Sequence, residues 1–188
     1  MEKKLLKRSL TFAMMIAVVF STIIASSLIK ANAAETEKAV TLIQGEKTSQ
    51  YDTVQEAVAA VSADKTQAVI TLNKDFEGAG AVVKKDQNIV FNLNGFTWTI
   101  NSLVGSSGTE TNGVQLLQGS TVTIENGTLT SKTASKLIQN YCDLTIRNAT
   151  LSGQDNLTEI IVSNNNGSTV ITGNSTVQAA AGGIAFDS

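Results

Sequence analysis

Few side chains in this 188-residue sequence could act as a general base, a nucleophile or a metal ligand. There is no histidine, the one cysteine is Cys142, and the one arginine after residue 33 is Arg147. These counts exclude Ser-His-Asp catalysis, hydrolysis at a histidine-ligated zinc and haem bound through histidine. A single cysteine also excludes an internal disulfide. We expect Cys142 to be a partly buried free thiol, with a disulfide between two copies as the alternative.

The acidic residues form no obvious catalytic pair. They are scattered, and no two of them hold equivalent positions in the repeats described below. Glu125 and Asp143 could approach each other across a corner, as the paired carboxylates of a hydrolase must. Arg147 takes the repeat position held elsewhere by Glu125 and Gly173, which favours a solvated strand residue over a catalytic one. We therefore assign no catalytic residue.

Oxygen ligands suited to calcium occur at Asp155, Asn156 and the run Asn164–Asn166. A polar turn explains the same residues, and we favour it, so no metal and no cofactor is predicted. Asn-x-Ser/Thr sequences, which carry glycans in eukaryotic secretory proteins, are interpreted as a by-product of the repeat. They begin at Asn126, Asn148, Asn156, Asn166 and Asn174.

Phe96 and Trp98 share one face of a predicted strand. Exposed, they would form a platform on which sugars stack; buried, they belong to the core. We favour the core, because Trp98 takes the repeat position that Leu129 and Leu151 fill later. The step from Trp98 to Leu129 is longer than the other steps, which predicts an inserted loop within Ser102–Gly113 that either carries a function or has none.

Beyond residue 67, apolar residues recur at intervals of about two dozen positions, in short stretches rich in strand-forming residues. Three series share this interval, which indicates three strands per repeat. The first is Leu116, Leu137, Ile160 and Ile184; the second is Val122, Leu144 and Val170; the third is Leu129, Leu151 and Val177. Upstream, Ile70 precedes Phe91 by a similar interval. Coils stacked at the ~4.8 Å strand spacing would bury these series inside a tube.

The linkers between these strands are too short for helices, which excludes βαβ units, and the handedness of parallel crossovers favours a right-handed coil. Asn126, Asn148 and Asn174 recur at one point of the repeat, where a tight corner needs a left-handed backbone. Proline is absent, as expected where interior strands donate every amide. The sequence therefore predicts an all-β fold, a right-handed parallel β-helix, with an N-terminal capping α-helix.

That helix is indicated by apolar residues at helical spacing and by a capping box. The apolar positions are Val54, Ala57, Val58 and Val61. Thr53 and Glu56 have the spacing of a capping box, and the helix is expected to fade near residues 62–65. Before it, residues 39–43 are predicted to form a strand and residues 44–50 a loop.

The segment Tyr51–Val58 resembles the N-terminal capping helix of pectin-lyase-like β-helix proteins. Ile89–Gly95 and Val122–Leu129 are similar to the recurrent coil sequences of that superfamily, and the likeness covers residues 39–188. The resemblance implies the fold. The superfamily includes polysaccharide lyases, glycoside hydrolases, adhesins and inert domains, so no single activity follows. The enzymes pair a basic residue with calcium-binding acids or use two carboxylates, and neither pattern occurs here.

Residues 1–33 have the three-part order of a secretory signal peptide. A basic start is followed by an apolar run from Leu10 to Leu28 and by the small-residue triplet Ala31–Ala33. The alternative is an uncleaved membrane anchor. Residues 1–33 hold five of the chain's 14 basic residues and one of its 16 acidic residues, so residues 34–188 carry a formal net charge of −6. That charge predicts no attraction for nucleic acid.

We expect residues 34–66 to form the N-terminal strand and capping helix, and residues 67–188 to form the coils, incomplete at the C-terminal end. Ile184 and Phe186 look like the start of another coil, which suggests a truncated chain or self-stacking on a partner. The expected function is a secreted or cell-surface scaffold of adhesin type that is not an enzyme and contacts extracellular polysaccharide. The alternative is a fragment of a polysaccharide lyase or glycoside hydrolase. No membrane contact is expected after signal cleavage.

Overall fold

The computed structural model describes residues 37–153 and 158–188. The predicted signal peptide, 1–33, and Asp155 and Asn156, which were weighed as calcium ligands and interpreted as part of a polar turn, lie outside the described residues. Residues 37–188 form one compact unit, and every strand described below lies inside it. Among the described residues, no helix is both long and apolar enough to cross a membrane.

The described chain winds into a β-solenoid of about five turns, which we call coils one to five. Before the coils come β1 (Val40–Gln44), β2 (Lys47–Tyr51) and α1 (Val54–Ala60). Coil one holds β3 (Gln67–Leu72), β4 (Phe76–Ala79) and β5 (Ala81–Val83); coil two holds β6 (Asn88–Asn92), β7 (Thr97–Ser102) and β8 (Asn112–Leu116). Coil three holds β9 (Thr121–Ser131) and β10 (Lys136–Asn140); coil four holds β11 (Asp143–Gly153) and β12 (Ile160–Asn164); coil five holds β13 (Ser168–Thr172), β14 (Thr176–Gln178) and β15 (Ile184–Asp187).

Parallel pairing between successive coils builds three faces. Face one contains β3, β6, the first halves of β9 and β11, and β13; face two contains β4, β7, the second halves of β9 and β11, and β14. Face three contains β5, β8, β10, β12 and β15. The predicted all-β parallel β-helix with one short N-terminal helix is confirmed.

The solenoid is closed at its N-terminal end by a hairpin and the helix. β1 pairs antiparallel with β3 on one side and with β2 on the other, so the first coil has no open edge on face one. The predicted loop at residues 44–50 is wrong, because most of it belongs to β2; this strand has no buried residue and so lacks any apolar alternation. The capping box of α1 is confirmed, since Thr53 Oγ1 accepts from Glu56 N at 3.1 Å and Glu56 Oε2 accepts from Thr53 N at 3.2 Å.

Gln87 ties this helix to the solenoid, and the sequence analysis missed it. Its side chain is buried, and Nε2 donates to the carbonyl oxygens of Val58 and Val61, each at 3.0 Å. The last carbonyls of a helix have no partner within the helix, so an amide from coil two satisfies them. The cap and the second coil are therefore joined by hydrogen bonds as well as by apolar contact.

The stacking of apolar residues confirms the third predicted series in full. Trp98 lies opposite Leu129, Leu129 opposite Leu151, and Leu151 opposite Val177. The pairs Ile70–Phe91 and Val122–Leu144 are confirmed as well. Buried apolar side chains from all three faces and α1 form one continuous core.

The second series is wrong at its last step. Leu144 lies opposite Thr169, and Val170 lies opposite Thr145. Side chains alternate between the two sides of a strand, so a slip of one residue turns Val170 from the core to the outside. Val170 is accordingly exposed.

The first series is wrong at its first two steps. Leu116 lies opposite Asn140, and Ile160 lies opposite Lys136; the final pair, Ile160 with Ile184, is correct. In β10 both Leu137 and its neighbour Ile138 are fully buried. Hydrophobicity therefore could not choose between the two registers of this strand.

The corner residues agree with the predicted asparagine series except in coil five. Asn126 and Asn148 have left-handed backbones, with φ of 59° and 50°, and Asn94 extends the row upstream with φ of 54°. In coil five the left-handed residue is Gly173. Asn174 instead donates its backbone N–H to Asn148 Oδ1 at 3.0 Å. A Cβ on Gly173 would lie 2.2 Å from that same Oδ1, so an asparagine does not fit there.

Candidate functional site

A groove of about 560 Å³ runs along the corner where face three turns into face one. We call it the corner groove. Its lining mixes amide, hydroxyl, carboxylate, ammonium and aromatic side chains, which come from coils two to five and from Lys65, just before β3. The lining residues with side chains are Lys65, Gln87, Asn88, Gln118, Ser120, Thr121, Tyr141, Cys142, Asp143, Asn166 and Ser168.

One wall of the corner groove is a ladder of polar side chains, one from each of four successive coils. Asn88 lies opposite Thr121, Thr121 opposite Asp143, and Asp143 opposite Ser168. Neighbouring strands are about 4.8 Å apart, so the ladder spans about 14 Å along the solenoid axis. The regular stacking of the coils thus sets hydrogen-bonding groups at a constant interval.

The apolar periodicity of the sequence does not reveal this ladder, because the ladder residues are polar. Each ladder residue directly precedes a residue of the inward series, as Thr121 precedes Val122 and Asp143 precedes Leu144. Aligning the polar neighbours of the second series would have revealed Thr121 and Asp143.

The charges in the corner groove are balanced and partly engaged. Ser168 Oγ donates to Asp143 Oδ1 at 2.8 Å, and Lys65 Nζ lies 3.7 Å from Asp86 Oδ1. Both Lys65 and Asp143 are exposed, and Tyr141 is half-buried beside them. A groove with this lining offers hydrogen bonds and one aromatic ring to a neutral or weakly charged ligand.

A buried thiol lies in the lining of the corner groove. Cys142 is buried and free, as predicted, and burial raises the pKa of its thiol to about 11, with the neighbouring Asp143 charge acting in the same direction. The thiol is therefore protonated at neutral pH and is not a nucleophile. Asn140 Oδ1 accepts from Cys142 N at 2.9 Å, which anchors the start of β11.

Glu125 and Asp143, the two carboxylates considered as a catalytic pair, do not lie close together. Glu125 lies opposite Arg147, and its Oε2 accepts from Arg147 Nε at 2.9 Å and from a second guanidinium nitrogen. Asp143 begins the strand four residues earlier, about 13 Å away along the sheet. Glu125 and Asp143, which the sequence allowed to approach each other, therefore lie apart. Arg147 is an outward strand residue, as expected, but its coil-five partner is Thr172, not Gly173.

The asparagine run considered for calcium is used internally. Asn164 Oδ1 accepts from Asn140 Nδ2 at 2.7 Å and from Thr169 Oγ1 at 3.1 Å, and Asn164 Nδ2 donates to Gly167 O at 2.7 Å. These bonds organise a turn, in agreement with the polar-turn interpretation. Within residues 37–153 and 158–188, no group of three or more acidic or cysteine side chains is placed to hold a metal ion.

The aromatic pair belongs to the core. Trp98 is almost fully buried, its ring centroid lies 5.6 Å from that of Phe91, and Phe96 is half-buried against the same cluster. The inserted loop is confirmed between β7 and β8. It is held at its base by the backbone pair Val104–Asn112, with N···O distances of 2.8 and 3.0 Å, while its tip is exposed.

Face two carries a second regular polar row, which the sequence analysis also missed. Thr97 lies opposite Thr128, Thr128 opposite Thr150, and Thr150 opposite Thr176. These threonines alternate with the inward series that contains Trp98. Thr97 of this row lines a separate, smaller cavity of about 350 Å³ beside Phe76, away from the corner groove, so the row serves below as a comparison surface.

Comparisons of the chain with protein-family models, with curated proteins and with solved structures find no match.

Proposed function

We propose that the protein is an exported, non-enzymatic β-helix module, secreted or held at the cell surface, whose corner groove contacts an extended polysaccharide. The observation that carries this proposal is the ladder Asn88–Thr121–Asp143–Ser168 with Tyr141 beside it. A linear glycan presents hydroxyl groups at a regular interval close to the length of one sugar ring. A solenoid presents polar side chains at a similar interval, so the polar side chain of each coil can hydrogen-bond to one sugar unit.

Export is supported by the sequence of residues 1–33, which has a basic start, an apolar run and a small-residue triplet. The low charge and the single cysteine are compatible with an extracellular scaffold. The test is expression in a bacterial host followed by N-terminal sequencing of the protein found outside the membrane. A chain beginning at Ala34 supports cleavage, whereas an intact chain in the membrane fraction supports the anchor alternative.

We also propose that the chain is related to the pectin-lyase-like superfamily. The segment Tyr51–Val58, now seen to include the capping box and α1, and the coil segments Ile89–Gly95 and Val122–Leu129 support this relation. Within that superfamily the adhesin-type members are the better analogy, because Glu125 is engaged by Arg147 and Asp143 by Ser168. These carboxylates are occupied in holding adjacent coils together.

The binding proposal is tested with the chain that begins at Ala34, which contains every described strand. A glycan array selects the polysaccharide, and calorimetry measures its Kd. Tyr141→Ala removes the aromatic ring of the corner groove and is expected to weaken binding by about tenfold. Tyr51→Ala is the matched control, because Tyr51 is also half-buried but lies on β2, outside the corner groove.

A second pair of variants locates the site. Thr121→Ala shortens the ladder, and Thr150→Ala makes the same change in the threonine row of face two. Affinity that falls for Tyr141→Ala and Thr121→Ala alone supports the corner groove. No glycan bound on the array, or affinity lost only for Thr150→Ala, contradicts the proposal. Release of shortened products from the bound polysaccharide would support the lyase or hydrolase alternative.

A further inference from the structure

Four Asn-Gly dipeptides occur in the chain, and this dipeptide is the one in which an asparagine most readily loses its side-chain amide in water. The glycine backbone nitrogen attacks the asparagine Cγ, and glycine has no side chain to hinder the approach. Whether a given pair reacts therefore depends on how firmly the fold holds the glycine amide and the asparagine side chain. The four pairs are Asn94–Gly95, Asn112–Gly113, Asn126–Gly127 and Asn166–Gly167.

Three of the pairs are restrained by the solenoid. Asn112 and Gly113 are both buried in β8. The Gly95 amide donates to Asn126 O at 2.6 Å, so the nitrogen that would attack Asn94 is already engaged. Asn126 is exposed, but its dipeptide lies inside β9, which pairs with coil two along one edge and with β11 along the other. Reaction at these three pairs has to wait for a local opening of the solenoid.

The fourth pair lies in the turn between β12 and β13, outside any strand. Asn166 is exposed, and the one hydrogen bond of its side chain to another described residue is long, from Nδ2 to Asn165 Oδ1 at 3.4 Å. Within the described chain the Gly167 amide donates to no acceptor. Asn166 and Asn126 have nearly the same φ, 62° and 59°, so the two pairs differ in the restraint on the glycine rather than in the asparagine backbone.

We propose that Asn166 is a site of spontaneous deamidation in the folded protein. The Gly167 nitrogen gives up its proton to solvent and bonds to Asn166 Cγ, and the side-chain nitrogen of Asn166 leaves as ammonia. Water then opens the five-membered succinimide. Cleavage of the new bond at Cγ gives aspartate, and cleavage at the backbone carbonyl carbon of residue 166 gives isoaspartate. The reaction consumes one water, releases one ammonia and needs no other reactant.

The position of Asn166 gives the reaction a consequence for the corner groove. Asn166 and Gly167 belong to its lining, and the charged side chains of that lining are Lys65 and Asp143, which balance each other. Either product adds a carboxylate, so the lining changes from balanced to net negative, and acidic ligands are disfavoured there. The deamidation itself does not depend on the proposed function, since it requires no ligand.

Peptide mapping by mass spectrometry of the chain beginning at Ala34, kept folded in mildly alkaline buffer, tests the proposal. We expect Asn166 to convert at least about tenfold faster than Asn126, because Asn126 reacts only when β9 opens. In urea the two sites should convert at similar rates, since their local sequences, Asn-Gly-Ser and Asn-Gly-Thr, are nearly the same. Asn126 is thus an internal control for the effect of the fold.

Isoelectric focusing of the same samples provides a second measurement. The acidic species that accumulates should migrate with Asn166→Asp and should not form from Asn166→Gln, because a glutamine would have to close a larger ring. Circular dichroism checks that each variant is folded. An Asn166 amide that persists in the folded chain while the urea-unfolded chain converts overturns the proposal. Conversion of Asn126 or Asn94 as fast as that of Asn166 in the folded chain also overturns it.

Discussion

Cys142 is the side chain whose protonation the fold changes most clearly. Burial raises its pKa from the ordinary value of 9.0 to about 11. Below about pH 9 the thiol is protonated in both the folded and the unfolded chain, so its contribution to stability is complete. Between about pH 9 and about pH 11 the unfolded thiol ionises first, and the free energy of unfolding falls.

We therefore expect the urea midpoint of the native chain to drop more between about pH 8 and about pH 10 than that of Cys142→Ala. Comparing the two proteins removes the contribution of lysines and tyrosines, which titrate in both. Alkylation by iodoacetamide at pH 9 should also be at least about fifty-fold slower in the folded than in the unfolded chain, since far less thiolate is present. Equal pH dependence in the two proteins would contradict the assigned cause.

Residue-level chemistry in the corner groove was hard to foresee from the sequence. Cys142 was expected to be a partly buried free thiol, and the structure shows it free and buried. The polar ladder was not expected, because Asn88, Thr121 and Asp143 become neighbours only once the register between coils is known. Outward polar residues carry no hydrophobic periodicity, so the apolar repeat predicts which residues are buried but not which polar residues are neighbours on the surface.

At the scale of elements, the corner between faces one and two tolerates almost no change in volume. A Cβ on Gly127 would lie 2.5 Å from Leu93 Cβ and 2.5 Å from Phe96 O, both in coil two. That corner of coil two includes Gly95, whose φ of 84° turns the chain and whose own Cβ would meet nothing within 4 Å. The two glycines are thus required for different reasons, one for space and one for backbone conformation.

We expect Gly127→Ala to lower the free energy of unfolding by about 2–3 kcal/mol, because the clash involves backbone and an adjacent Cβ. Gly95→Ala should cost about 1 kcal/mol, the strain of a left-handed non-glycine residue. Urea unfolding followed by the fluorescence of Trp98, the single tryptophan, measures both. The explanation fails if Gly95→Ala proves the more damaging of the two.

The elements also show where prediction from the sequence succeeds. Leu129, Leu151 and Val177 could be aligned because each is flanked by polar residues, so one register alone buries them. In β10 the adjacent Leu137 and Ile138 are both buried, so apolarity does not select one register. β2 has the polar sequence of a loop, because an uncovered edge strand needs no apolar side. The coil architecture was therefore predictable from the repeated apolar residues. The register of an individual strand was predictable only where one side of the strand is apolar and the other polar, and some strands lack this difference.

At the scale of the whole molecule, stability should decrease from the middle of the solenoid towards coil five. β9 and β11 are paired along both edges, and their inward residues are fully buried, whereas coil five is paired on one side. Each repeat of a solenoid contacts only its neighbours, so the end with fewer neighbours opens more readily.

Hydrogen exchange at the lowest practicable concentration is expected to show the slowest amides in β9 and β11 and much faster exchange in β13, β14 and β15. Protection of β13 equal to that of β9 would contradict the predicted gradient.

The antiparallel hairpin beneath coil one also has a consequence for the order of folding. Because β1, β2 and α1 precede the coils in the sequence, the N-terminal cap is synthesised first. Each folded coil then offers strand edges with which the next coil can pair. We expect the coils to fold in order from the N-terminal end, because each strand pairs with a strand of the coil synthesised before it. A chain interrupted midway would still be able to hold its earlier turns in place.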